Sequence, residues 1–127
     1  MNPKTILVVE DSATMRLLLG VNLKKLKGCQ VMEANDGKDA VEKLAHRPFD
    51  LVITDINMPG MNGLELVDHI RGVLKLSLPI VIVTTKGEEG ARDIGMQKGA
   101  SAYLTKPISG EALVRLVESL LSDVVRA

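Results

Sequence analysis

Five short apolar runs, Thr5 to Val9, Val31 to Ala34, Leu51 to Asp55, Ile80 to Thr84 and Ala102 to Leu104, alternate with stretches whose apolar residues recur at helical spacing. Several of the runs, Leu51-Val52-Ile53-Thr54 among them, lack polar alternation, which predicts burial on both faces. The stretches between them place Met15, Leu18, Leu19, Leu23 and Leu26 on one helical stripe, then Ala40, Val41, Leu44 and Ala45, then Val67, Ile70 and Leu74. Helix-start signals agree with this division: Asp36-Gly37 opens the second helix, Asn62 followed by Glu65 forms a capping pair, and Ser109 caps the last. Strand followed by helix, repeated five times, predicts an α/β fold: a five-stranded parallel sheet with right-handed crossovers and helices on both faces.

The chain has 127 residues, enough for one core, and carries no linker, repeat or low-complexity segment; it reads as one domain over residues 1–127 that ends with its fifth helix. Sixteen basic and sixteen acidic residues cancel, so no bulk attraction to nucleic acid or anionic lipid is expected. No segment approaches the roughly 18 apolar residues of a membrane span. The first apolar run is only strand-length and is followed at once by acids, unlike a signal peptide. The single cysteine, Cys29, excludes an internal disulfide and fits a cytoplasmic location.

Two helices stand apart. The segment Glu88 to Lys98 contains Gly90 and Gly95 and is bordered by Gly87 and Gly99, so it is expected to be the softest helix, either the moving part of a switch or a poorly formed connector. The last helix carries a core stripe of Leu113, Leu116, Val117, Leu120 and Val124 and a second apolar row, Val114, Leu121 and Val125. That row is either covered by neighbouring elements or a face for a partner.

The strand ends carry the chemistry. Leu51 to Thr54 runs into Asp55 and then the turn-rich Asn57-Met58-Pro59-Gly60-Met61-Asn62-Gly63; Thr5 to Val9 runs into Glu10-Asp11; the fifth strand runs into Lys106-Pro107. In a parallel sheet these ends share one rim, where α/β proteins hold ligands. Three carboxylates brought together repel one another unless a cation sits among them, and hard oxygen donors favour a divalent ion such as Mg2+. An octahedral magnesium keeps open positions for phosphate oxygens, and a carboxylate such as Asp55 can accept a phosphoryl group as a mixed anhydride. Lys106 supplies a fixed positive charge and Thr84, ending the fourth strand, a hydroxyl. Pro107 constrains the backbone just after Lys106 and is a candidate for a cis bond.

On these residues the chain resembles a response-regulator receiver domain of two-component signalling, of the chemotaxis-regulator type. The resemblance rests on Glu10-Asp11, the segment Asp55 to Gly63, Thr84, Tyr103 and Lys106-Pro107, and covers essentially the whole chain. It implies a flavodoxin-like sheet of order 2-1-3-4-5. It further implies that Asp55 accepts a phosphoryl group from the phosphohistidine of a histidine kinase or histidine phosphotransfer protein. Glu10, Asp11, Asp55 and the backbone carbonyl of Asn57 would hold Mg2+, and Lys106 and Thr84 would bind the phosphoryl oxygens. On phosphorylation Thr84 would move toward the phosphoryl group and Tyr103 turn inward, repacking the face of the fourth helix, fifth strand and fifth helix (α4-β5-α5 in that family).

Some positions depart from the commonest family pattern or vary within it. Thr85 stands where a small residue is usual, and its bulk would narrow access to the acids. Asn57 and Lys86 would line the path of the water that hydrolyses the acyl phosphate. A flavin-binding module of the same fold would need a phosphate loop in place of Glu10-Asp11, and a haloacid-dehalogenase-type phosphatase would need an aspartate where Asn57 stands. Neither a Walker loop nor a dinucleotide glycine fingerprint is present.

The expectation is therefore a stand-alone receiver. It is not an enzyme in the ordinary sense, though it promotes its own phosphorylation and dephosphorylation, and its output is a changed affinity for a protein target. As a monomer or a phosphorylation-dependent dimer it would bind neither nucleic acid nor membrane. The alternative is a degenerate receiver that docks proteins independently of phosphorylation.

Overall fold

A computed structural model of the chain describes residues 3–122 and the backbone of residues 125–126. Its main elements run β1 (Lys4–Val9), α1 (Ala13–Leu23), β2 (Cys29–Ala34), α2 (Gly37–His46), β3 (Leu51–Asp55), α3 (Gly63–Asp68), β4 (Ile80–Thr84), α4 (Glu89–Lys98), β5 (Ala102–Thr105) and α5 (Gly110–Leu120). All five strands are parallel and lie in the order 2-1-3-4-5, as expected. The carboxyl ends of β1, β3, β4 and β5 consequently face one rim, with Val9 opposite Thr54, Asp55 opposite Val83 and Thr84 opposite Thr105.

Side chains on successive strand residues point to opposite faces, so each central strand feeds two cores. Ile6, Val8, Leu51, Ile53, Val81 and Val83 pack on one side with Leu19 and Leu23 of α1 and Leu113 and Val117 of α5. Leu7, Val9, Val52, Ile80 and Ile82 pack on the other with Leu44 of α2 and Leu66 and Val67 of α3. Fully burying one such side chain contributes about 1.5–3 kcal/mol, so the three central strands carry much of the stabilisation. The outer strands β2 and β5 keep exposed positions, which is why β2 is longer than its apolar run and begins at Cys29.

The expected caps are present. Asp36 accepts from the Asp39 N–H, Ser109 from the Ala112 N–H, and Asn62 forms a reciprocal capping box with Glu65. Ser12 caps α1 in the same way, accepting from Met15. Past Asp68 the third helix widens into a π-helical turn over His69–Val73.

The end of the chain differs from its periodicity. The fifth helix stops at Leu120, and Val125–Arg126 pair antiparallel with Leu26–Lys27 in a two-residue ribbon. Val125 is thus a strand residue, and Val124 lies outside the described residues. Val114 and Leu121 are buried in the core shared by α1 and α5, so these two members of the second apolar row cover the sheet.

Candidate functional site

The acids meet as the strand order requires. Glu10, Asp11 and Asp55 each offer a carboxylate oxygen, and these atoms lie within 4.8 Å of one another. Glu10 and Asp55 are buried and Asp11 is exposed. Lys106, arriving from the end of β5, places its Nζ 2.8 Å from Asp55 Oδ2 and 3.3 Å from Glu10 Oε1. The Lys106–Pro107 bond is cis. The Asn57 N–H donates to the second oxygen of Asp55, Oδ1, at 3.3 Å.

These contacts set the charges. Burial, helped by Asp11 beside it and by the charge of Asp55, pushes the Glu10 carboxyl up to about 7 against the pull of Lys106. Burial pulls Lys106 down, but its bonds to Asp55 and Glu10 and their charges outweigh that and leave the ammonium above its ordinary value. Glu10 Oε2 is buried without a hydrogen-bond partner. A buried, unpartnered carboxylate oxygen next to two further carboxylates is a set of hard donors suited to a small divalent cation, so the residues fit magnesium.

Glycine and arginine shape the rim. At Gly63 a Cβ would stand 2.2 Å from the Asp55 carbonyl oxygen, so only glycine lets the start of α3 fold back on the Asp55 backbone. Arg16, from the second turn of α1, donates from Nη1 to the Glu10 carbonyl at 2.7 Å and from Nε to Glu33 at 3.0 Å, bracing the loop after β1.

The remaining expected residues lie around this centre. Thr84 is buried at the end of β4, its hydroxyl donating a long 3.5 Å bond to the Leu104 carbonyl. Tyr103 is 42% exposed on β5, with the Arg92 guanidinium 4.7 Å from its ring centroid. Thr85 and Lys86 are exposed on the loop after β4. Thr85 does not stand idle there: its N–H and Oγ1 donate to Glu88 Oε1 at 2.6 and 2.5 Å. The other oxygen of Glu88 accepts from Asn57 Nδ2, across the rim. The bonds from Thr85 hold the Glu88 carboxyl below its ordinary value.

Glu88, Arg16 and the close approach at Gly63 were not foreseen as parts of the site. Glu88 reaches Asn57 across the gap between two loops and Arg16 reaches Glu33 of β2, contacts that no local pattern encodes, whereas the bonds of Glu88 to Thr85 are local, three residues apart. Gly63 does carry a sequence signal, as the last residue of the turn-rich segment after Asp55 and the first after a capping asparagine.

Comparison with known proteins agrees with this architecture. The family model for the response regulator receiver domain matches residues 6–118. The chain is 37% identical over 118 residues to protein PilH of Pseudomonas aeruginosa, with 92% of this chain and 97% of PilH covered. It is 36% identical over 119 residues to the phosphate regulon transcriptional regulatory protein PhoB of the same species, with 93% of this chain covered. It spans only about half of PhoB, 52% of its length. Among solved structures, the chemotaxis response regulator CheY4 of Vibrio cholerae superposes with a TM-score of 0.85 at 31% identity, over 94% of this chain and all (100%) of that one. The fold, the rim of acids and the family match together establish that the chain belongs to the response regulator receiver domain family.

Proposed function

We propose that the chain, as one receiver domain over residues 1–127, accepts a phosphoryl group on Asp55 and thereby switches its affinity for a protein target. The observation that carries this reading is the buried Asp55 carboxylate held 2.8 Å from Lys106 within the three-acid cluster. The donor is a phosphohistidine of a histidine kinase or histidine phosphotransfer protein. An Asp55 oxygen attacks phosphorus, the P–O bond forms as the P–N bond breaks, and the imidazole leaves carrying a proton. Glu10, Asp11, Asp55 and the Asn57 carbonyl would hold magnesium. Bound there, the ion supplies positive charge that offsets the gathering phosphoryl oxygens. Lys106 neutralises one of those oxygens, and the Thr84 hydroxyl donates to another once it turns from Leu104. Hydrolysis of the acyl phosphate resets the chain, with Asn57, Thr85 and Lys86 bordering the path of the attacking water.

The readout is the face of α4, β5 and α5, where Ile94 and Tyr103 are 46% and 42% exposed. The nearly full-length likeness to a protein named as a chemotaxis response regulator supports output through protein contact. The second reading, a docking module indifferent to phosphorylation, gains nothing from the chemistry of the rim, since docking needs neither the buried acids nor Lys106. The proposed setting is the cytoplasm, as a monomer or phosphorylation-dependent dimer without a nucleic-acid partner. Among the described residues no helix is long and apolar enough to cross a membrane.

A single tyrosine and no tryptophan make the test simple, because intrinsic fluorescence reports Tyr103 alone. Adding beryllofluoride with Mg2+ is expected to change that emission, and Asp55→Asn to abolish the change. Unaltered emission in the parent chain contradicts the switch and favours the docking module.

A further inference from the structure

The bonds of Glu88 form a connected path. Asp55 Oδ1 accepts from the Asn57 N–H at 3.3 Å, the Asn57 side chain donates to one oxygen of Glu88, and the other oxygen accepts two bonds from Thr85, the residue after Thr84. One carboxylate thus joins the loop after β3 to the loop after β4. It leads into α4 without capping it, since Glu88 makes no side-chain cap bond to that helix. The side-chain bonds of Glu88 to Asn57 and Thr85 lie on these two loops, while its backbone carbonyl accepts from the Arg92 N–H of α4.

We propose that Glu88 is a latch, a positioning residue that keeps the Thr84–Thr85 segment of the unphosphorylated chain tied to the Asp55 loop and is released when Asp55 is phosphorylated. The inference rests on the phosphoacceptor reading above and extends it to how the signal leaves the site. A phosphoryl group adds a charge of about −1.5 to −2 and three strong acceptor oxygens. Placed on Asp55, it repels the Glu88 carboxylate that Asn57 holds nearby, and it competes with Glu88 for donors on the same two loops. Thr84 is restrained while Thr85 is bound to Glu88 and Glu88 in turn to Asn57 of the Asp55 loop. Opening the latch is therefore the step that frees the loop after β4 and the start of α4. Because the tied state disfavours the geometry that accepts a phosphoryl group, Glu88 also slows phosphorylation of the resting chain.

The test compares the full chain with Glu88→Ala and Glu88→Gln, following phosphorylation by acetyl phosphate at saturating Mg2+ by intact mass, together with amide hydrogen exchange at Thr85 in the unmodified proteins. Glutamine keeps an acceptor for Thr85 and, with the Asn57 amide turned over, a partner for that side chain, so it serves as the conservative rescue. The expected result is that Glu88→Ala is phosphorylated about three- to tenfold faster than the parent and loses protection at Thr85, while Glu88→Gln stays nearer the parent in both. Equal or slower phosphorylation of Glu88→Ala overturns the latch, as does a Glu88→Gln rate matching that of Glu88→Ala. Failure of the parent itself to be labelled overturns the phosphoacceptor reading and the latch with it. Labelling of the parent with an unchanged Glu88→Ala overturns the latch alone.

Discussion

The Lys106 ammonium lies 2.8 Å from Asp55 Oδ2, a partner 51 residues earlier in the chain, and 3.3 Å from Glu10 Oε1. One side chain thereby joins the ends of β1, β3 and β5. Without it, two buried carboxylates face each other with no compensating charge. Breaking a fully buried pair costs about 3–5 kcal/mol, and partial exposure of Lys106 reduces this to roughly 1–3 kcal/mol. Lys106→Met is expected to lose that much stability in urea unfolding near neutral pH without magnesium, and to regain part of it when Mg2+ is added. A variant as stable as the parent in both conditions contradicts the pairing.

Stability of the metal-free protein should fall as pH rises from about 5 to about 7. Glu10 holds its proton up to about 7 in the folded chain, against an ordinary value of 4.5, so the folded state binds more protons than the unfolded one across that interval. Protonation therefore stabilises the fold below the ordinary value, and the contribution disappears as pH passes through the folded one. Unfolding in the presence of a chelator, measured at several pH values, checks the slope. Glu10→Gln is expected to flatten it. Magnesium should oppose the loss at higher pH, because it binds the deprotonated carboxylates.

Gly63→Ala tests the close approach behind Asp55. The added methyl would stand 2.2 Å from the Asp55 carbonyl oxygen and 2.7 Å from Ile56 Cα, both backbone atoms that cannot swing aside. A loss of about 1–3 kcal/mol is expected from such overpacking, together with slower phosphorylation as the Asp55 backbone shifts. Thermal unfolding and labelling by acetyl phosphate report the two effects separately.

The fourth helix separates two kinds of glycine. Gly90 has open space where a Cβ would go, whereas at Gly95 a Cβ would meet Ile82 Cδ1 at 2.7 Å and Leu64 Cδ2 at 3.1 Å. Gly90→Ala is expected to stabilise the chain by about 0.5–1 kcal/mol through helix propensity. At Gly95 the methyl must displace the buried ends of the Ile82 and Leu64 side chains, which offsets that gain. The denaturant midpoint of Gly90→Ala should therefore rise more than that of Gly95→Ala.

The parts of this molecule that were legible in the sequence are those governed by local pattern or by strand ends. Leu51–Asp55 and Ile80–Thr84 could be read with their correct limits because they are buried along their whole length and bounded by polar or glycine-rich turns. Cys29 and Gln30 were not, since an edge strand carries exposed residues that break the apolar run. The acid cluster followed from parallel strands ending on one rim. Periodicity alone carries α5 too far, because apolar residues persist at helical spacing beyond Leu120 although Val125–Arg126 pair with Leu26–Lys27. Glu88 was silent for a different reason: its bond to Asn57 depends on the separation of two loops, which the fold sets and the spacing of residues does not.

The phosphoacceptor role of Asp55 is tested most directly by incubating the full chain with acetyl phosphate and Mg2+ and measuring its intact mass. One phosphoryl group should be added to the parent chain, none to Asp55→Asn, and little when magnesium is chelated. A parent chain that gains no phosphoryl group, or an Asp55→Asn variant labelled as strongly as the parent, contradicts the account.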